Sequence, residues 1–136
     1  MGGVSQIAMR RVEKTVFISY RRVDEPWALA IYKTLKQRGF DVFIDFLGIG
    51  SGSFAKEIVE NIAARAHFLI LLTPNALNRV NQPDDWMRRE IECAIDQKRN
   101  IVPVMLGGFS FENREVQTCL IGKLALLKDY NCHDCP

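Results

Sequence analysis

The sequence predicts an α/β fold: a doubly wound, parallel, five-stranded sheet with helices on both faces. Two observations predict it. Short β-rich runs with hydrophobic centres alternate, about five times, with longer segments whose apolar residues recur at i, i+3, i+4 and i+7. The strand-like runs are also nearly continuous in apolar residues, as strands buried on both faces must be. A length of 136 residues suits one domain with a single sheet, joined by right-handed crossovers.

The elements follow in order. TVFISY (15–20) is a buried strand. EPWALAIYKTLKQRG (25–39) is an amphipathic helix with Ala28, Ile31, Tyr32 and Leu35 on its apolar face, Pro26 in its first turn and Gly39 at its end. FDVFID (40–45) is the second strand, and FLGIGSGS (46–53) a glycine-rich loop. FAKEIVENIAARA (54–66) sets Phe54, Ile58 and Ile62 on one helical face. HFLILLT (67–73) has the character of a central strand. PNALNRVNQPD (74–84) is a polar loop.

WMRREIECAIDQKR (86–99) is the third helix, with a core stripe of Met87, Ile91, Ala94 and Ile95 and with Asp84 or Asp85 as its cap. NIVPVM (100–105) is a fourth strand, and Pro103 argues for an irregular or edge position. After the loop GGFSFENRE come a short helix, VQTCLIGK (116–123), and a fifth strand, LALL (124–127). Residues 1–14 and 130–136 are patternless tails around a domain at 15–129.

Composition narrows the function. Hydrophobic residues at 48% and charged residues at 25% describe a globular chain rather than a disordered one. A net charge of +2 does not advertise nucleic acid or acidic lipid. No apolar run reaches the ~20 residues of a membrane helix, and MGGVSQIAMRRVEK lacks the apolar core of a signal peptide. Gln6 stands where a myristoylation signal needs Ser or Thr, so the expected compartment is the cytoplasm. Cys132 and Cys135 form CHDC, but no second close pair completes a zinc site; all four cysteines, with Cys93 and Cys119, read as plain reduced thiols.

In open α/β sheets, ligands bind beyond the carboxyl ends of the strands, where strand order reverses. That rule collects Tyr20, Arg21 and Arg22 after the first strand, and Asp45, Phe46 and the glycine loop after the second. After the third it collects Thr73, Pro74 and Asn75, then the approach to Trp86 and Glu90. Arginine forks bind phosphate, aromatics stack on rings, and glycines admit close backbone approach. A ligand with phosphates and flat rings fits that set. Each feature alone has a plainer explanation: a surface loop for GIGSG, solvated charges for the arginines, partial packing for Trp86, a helix-surface acid for Glu90. GIGSG is neither a dinucleotide fingerprint nor a P-loop, and no Ser or Cys stands with His67 or His133 in a nucleophile motif.

Four ordered blocks resemble a known family. VFISYRR, GFDVFID with its glycine loop and Phe54, FLILLTPNAL, and DDWMRREIECAIDQKRNIVPVM are similar to the TIR (Toll/interleukin-1 receptor) domain, from about Thr15 to Met105. The resemblance is nearest to the NAD-consuming branch, which includes the animal axon-degeneration NADase and bacterial and plant immune TIRs. It implies a flavodoxin-like sheet, NAD+ as substrate, no separate cofactor and no metal. Glu90 takes the place of that branch's catalytic glutamate, and Tyr20, Arg21, Arg22, Asp45, Phe54 and Trp86 take the places of substrate-binding residues. The implied reaction is cleavage of the nicotinamide–ribose bond, with ADP-ribose or a cyclic isomer as product. The implied partners are other TIR domains, in immune or cell-death signalling. GIGSGSF has glycines and serines where members often carry charge, and the chain is expected to lack the family's final helix. Two other functions fit the same fold: a non-catalytic TIR–TIR interaction module, and an FMN or nucleotide binder of the flavodoxin type.

Overall fold

A computed structural model describes residues 13–44, 53–82 and 85–130 of the chain. Four parallel strands are present among them: β1 (Thr15–Ser19), β2 (Asp41–Ile44), β3 (His67–Leu72) and β4 (Asn100–Met105). They lie in the order β2-β1-β3-β4. The chain moves outward from β1 to β2, then returns past β1 to β3. The strand order therefore reverses between β1 and β3, and the carboxyl ends of those two strands are where open α/β sheets place a ligand crevice.

Helices cover both faces, as expected. The α1 helix (Glu25–Gln37) uses its stripe of Ala28, Ile31, Tyr32 and Leu35 against Val16, Ile18, Val42 and Leu71. Gly39, at φ 86°, ends it: its left-handed conformation lets Phe40 N–H return to the Leu35 carbonyl at 3.0 Å. The opposite face carries α2 (Ser53–Ala64) and α3 (Trp86–Asp96). There Ile58, Ile62, Met87, Ile91 and Ala94 bury against Phe17, Phe68, Ile70 and Leu72. Phe17 stacks between Phe43 and Phe68, with ring centroids 5.1 and 5.3 Å away. This aromatic layer is the floor under the two helices.

Pro103 lies on β4, opposite Ile70, at an edge of the described sheet where its missing N–H breaks no ladder bond. The polar loop after β3 is less polar than it reads. Its residues Ala76, Leu77 and Val80 are fully buried and cap the larger core.

One expected strand is replaced. LALL (124–127) lies in a 3-10 helix, Gly122–Asp129, which follows α4 (Arg114–Cys119) and packs on α3. Leu124 and Leu127 are both fully buried. Three residues apart, they share one side of a 3-10 turn, whereas in a strand they would point to opposite faces. Gly122, at φ 58°, starts the turn, and Lys123 pairs with Asp96 of α3 at 2.6 Å.

Candidate active site

The site is built from the end of β1 and the first two turns of α3. β1 delivers Phe17 and Ser19 to the α3 side, because alternate strand residues share a face. Ser19 is 1% exposed, and its hydroxyl donates to Glu90 Oε1 at 3.0 Å. This bond crosses the point where strand order reverses. A partly buried carboxylate is thus fixed at the crevice that the topology creates.

α3 starts where it does because of Asp85. That residue has extended backbone, and its carboxylate accepts the Arg88 N–H at 3.1 Å, so Asp85 is the cap. The same carboxylate takes both terminal nitrogens of Arg21 in a two-pronged ion pair, one prong at 2.9 Å. Arg21 Nε donates to the Ala76 carbonyl. One arginine after β1 therefore ties together the loop after β3 and the first turn of α3. Both side chains are largely buried, at 16% and 7% exposed. A second clamp lies behind it: Thr73 donates to the buried Asp24 carboxylate at 2.7 Å, joining the end of β3 to the start of α1.

Trp86 and Glu90, four residues apart on α3, lie on the same side of it. Both line an open cleft between α2 and α3 of about 100 Å³, with Ile58, Val59, Ile62, Arg89 and Cys93. Ile58 and Ile62 are buried at its base, while Val59 and Arg89 are exposed at its rim. Apart from Glu90, Arg89 and the Cys93 thiol, the wall is apolar. The Arg89 guanidinium lies 5.4 Å from the Trp86 ring centre, within cation–π range. At about 100 Å³ it is smaller than the ~300–1,000 Å³ typical of whole ligand sites. It seats only part of a dinucleotide, with the rest extending past its open rim.

The expected site residues do not all meet here. Trp86 and Glu90 do, with Arg21 one step behind them as an anchor. Tyr20 follows β1 on the opposite face and packs with the core beside α1. Arg22 is exposed in a short 3-10 turn, Arg22–Asp24. Asp45 and the glycine loop lie outside the described residues, as does the side chain of Phe54, the second residue of α2. Three contributors were not foreseen: Ser19, Arg89 and Cys93. Ser19 was legible in principle, as the polar residue that strand parity places on the side of Phe17.

The Cys93 thiol is pushed above its ordinary pKa, first by burial, then by the negative charges of Asp96 and Glu90. It therefore stays protonated, and unreactive toward alkylating agents, to higher pH than a free cysteine. Peptide-mapped iodoacetamide labelling should show a Cys93 midpoint above that of an unstructured cysteine. Glu90→Gln should move the midpoint down, because one repelling carboxylate is gone. A midpoint that ignores the substitution would mean that the Glu90 carboxylate does not lie beside Cys93 on α3.

Comparison with known proteins supplies the family. The model of the TIR domain matches residues 16–130. The chain belongs to the TIR domain family. Its relatives include the protein named NAD(+) hydrolase tir-1 of Caenorhabditis elegans, 35% identical over 93% of this chain. Proteins named NAD(+) hydrolase sarm1 of Drosophila melanogaster and SARM1 of Danio rerio are 38% and 37% identical over 66% and 65% of it. This TIR domain spans 13%, 7% and 13% of those three chains, respectively. Among solved structures, a metazoan TIR-STING receptor from C. gigas superposes with a TM-score of 0.55 at 26% identity, covering 76% of this chain and 35% of that one. The TIR domains of the activated Roq1 resistosome match in fold, with a TM-score of 0.57 at 22% identity, over 78% of this chain and 68% of that one. No helix among the described residues is long and apolar enough to cross a membrane. No cluster among them has the donors to hold a metal ion.

Proposed function

We propose that this TIR domain is an NAD+ glycohydrolase, with Glu90 as its catalytic residue. The observation that carries the reading is the Glu90 carboxylate, held by Ser19 at the strand-order reversal beside Trp86, in a cleft whose only other polar side chains are Arg89 and the Cys93 thiol. The names of the three hydrolase relatives support it.

The chemistry needs little else. In NAD+ the nicotinamide is joined to ribose through a positively charged ring nitrogen. When the C–N bond breaks, its electron pair goes to that nitrogen and the base leaves neutral. No acid is required to protonate it, unlike the two-carboxylate hydrolysis of ordinary glycosides. Positive charge grows on the ribose carbon and ring oxygen. A carboxylate against the sugar stabilises that cation, more strongly in a partly dry cleft than in water. The apolar wall of Ile58, Val59 and Ile62 suits a ring that becomes uncharged as it departs. Water then adds to the ribosyl carbon and releases a proton, giving ADP-ribose. Attack by the substrate's own adenine or a hydroxyl gives a cyclic isomer through the same first step. The reading extends to a domain that works on cytoplasmic NAD+ and is activated by self-association with other TIR domains in immune or cell-death signalling.

Nicotinamide release from NAD+ by concentrated purified domain tests the reading. Time-dependent release that rises with protein concentration is expected. A domain that self-associates yet releases none at any concentration would be a scaffold, and the enzymatic reading would be withdrawn.

A further inference from the structure

We infer that Arg89 is a substrate-binding residue that takes the diphosphate of the dinucleotide at the rim of the cleft; this rests on the reading of the cleft as an NAD+ site. The arginines at this end of the sheet are not equivalent. Arg21 spends Nε on the Ala76 carbonyl and both terminal nitrogens on Asp85, so its charge is neutralised and its fork turned inward. Arg88 pairs with Glu92 one turn along α3, at 3.6 Å. Arg89 is exposed, lines the cleft, and has no carboxylate partner among the described residues.

The Trp86 ring holds the Arg89 guanidinium in place from one side. That contact restricts a long side chain before the ligand arrives, which lowers the ordering cost of binding, and the guanidinium nitrogens can still donate to an anion. Arg89 directly precedes Glu90, so the guanidinium and the carboxylate project from adjacent positions on one helical turn. The cleft holds only part of a dinucleotide, so with the ribose against Glu90 the group that follows the sugar lies at the rim. In NAD+ that group is the diphosphate. A cation there also disfavours the reverse pose, because the positively charged nicotinamide ring of the substrate would face Arg89.

The test compares substrates with and without phosphate. Arg89→Ala and Arg89→Lys are assayed on NAD+ and on nicotinamide riboside, which carries the same glycosidic bond and no phosphate. For NAD+, Arg89→Ala should raise KM about 10- to 100-fold, the worth of hydrogen bonds to a charged group, with kcat nearly unchanged. Arg89→Lys should recover part of the loss, since it keeps the charge but not the fork. Nicotinamide riboside kinetics should be unaltered. Equal losses on both substrates would assign Arg89 to the packing of Trp86 and overturn the proposal, as would an unchanged KM for NAD+. If the wild-type domain releases no nicotinamide, ADP-ribose titration by heteronuclear NMR takes over. Weaker binding by Arg89→Ala upholds the phosphate role without the enzyme; equal binding, or none by either protein, overturns it.

Discussion

Asp85→Ala is expected to be the most destabilising single change near the site. It removes the helix cap of α3 and strips the partner from Arg21 in one step. Breaking a buried ion pair costs roughly 3–5 kcal/mol, because the surviving charge is left without compensation. The lower figure applies here, since 16% of the Arg21 side chain is still reached by solvent. Loss of the cap adds about 1 kcal/mol. For a domain of this length the sum lowers Tm by on the order of 10 °C. Asp85→Asn separates the contributions: its amide oxygen still accepts the Arg88 N–H, so the cap stays, while the charge and one prong of the Arg21 pair are lost. Thermal unfolding of the two variants, with Arg21→Ala and the double Arg21→Ala, Asp85→Ala, gives the coupling directly. Strictly additive losses would show that the pair is an ornament of the surface rather than the clamp that sets α3.

Glu90→Gln should have the largest effect on activity with the smallest effect on the fold. Glutamine keeps the length and an oxygen for the Ser19 hydroxyl, so the bond across the strand reversal survives. What goes is the negative charge beside the sugar. Removing one well-placed group that stabilises transition-state charge costs about 10²–10³-fold in kcat, and a full charge facing a cation belongs at or beyond the upper end. KM should move less, because in the bound substrate the positive charge is spread over the nicotinamide ring and concentrates on the sugar only as the bond breaks. Ser19→Ala should cost less than Glu90→Gln, since it loosens the carboxylate without discharging it. A Glu90→Gln protein that loses kcat only in step with a lower Tm would reduce Glu90 to a structural residue.

The parts of the fold set by local pattern were legible in the sequence. Ala28, Ile31, Tyr32 and Leu35 packed as one stripe, Gly39 ended α1, and an aspartate capped α3. These features depend on periodicity and on turn chemistry, which short segments carry within themselves. LALL misled because four apolar residues satisfy a strand and a 3-10 turn equally well. What decided between them was the surface of α3, where side chains three apart could both be buried.

The site was half legible for a related reason. The pairing of Trp86 with Glu90 is a helical spacing and survives in three dimensions. Tyr20 and Arg21 are neighbours in sequence, yet strand parity sends Tyr20 toward α1, and Arg21 finds Asp85 across 64 positions. Sequence proximity to a strand end says that a residue reaches the rim, not which side of the sheet it serves or which charge it meets there. That is why the cation lining the cleft is Arg89, which the strand-end rule does not collect, and why Arg21 serves as an anchor.

The most direct test is to locate an NAD+ analogue that cannot be cleaved, with a carbocycle in place of the ribose, bound to the domain in a crystal. The five-membered ring is expected against the Glu90 carboxylate, the nicotinamide between Trp86 and the wall of Ile58 and Ile62, and the diphosphate at the rim beside Arg89. An analogue seated with its ring away from Glu90, on the α1 face or at the opposite end of the sheet, would contradict the assignment of this cleft.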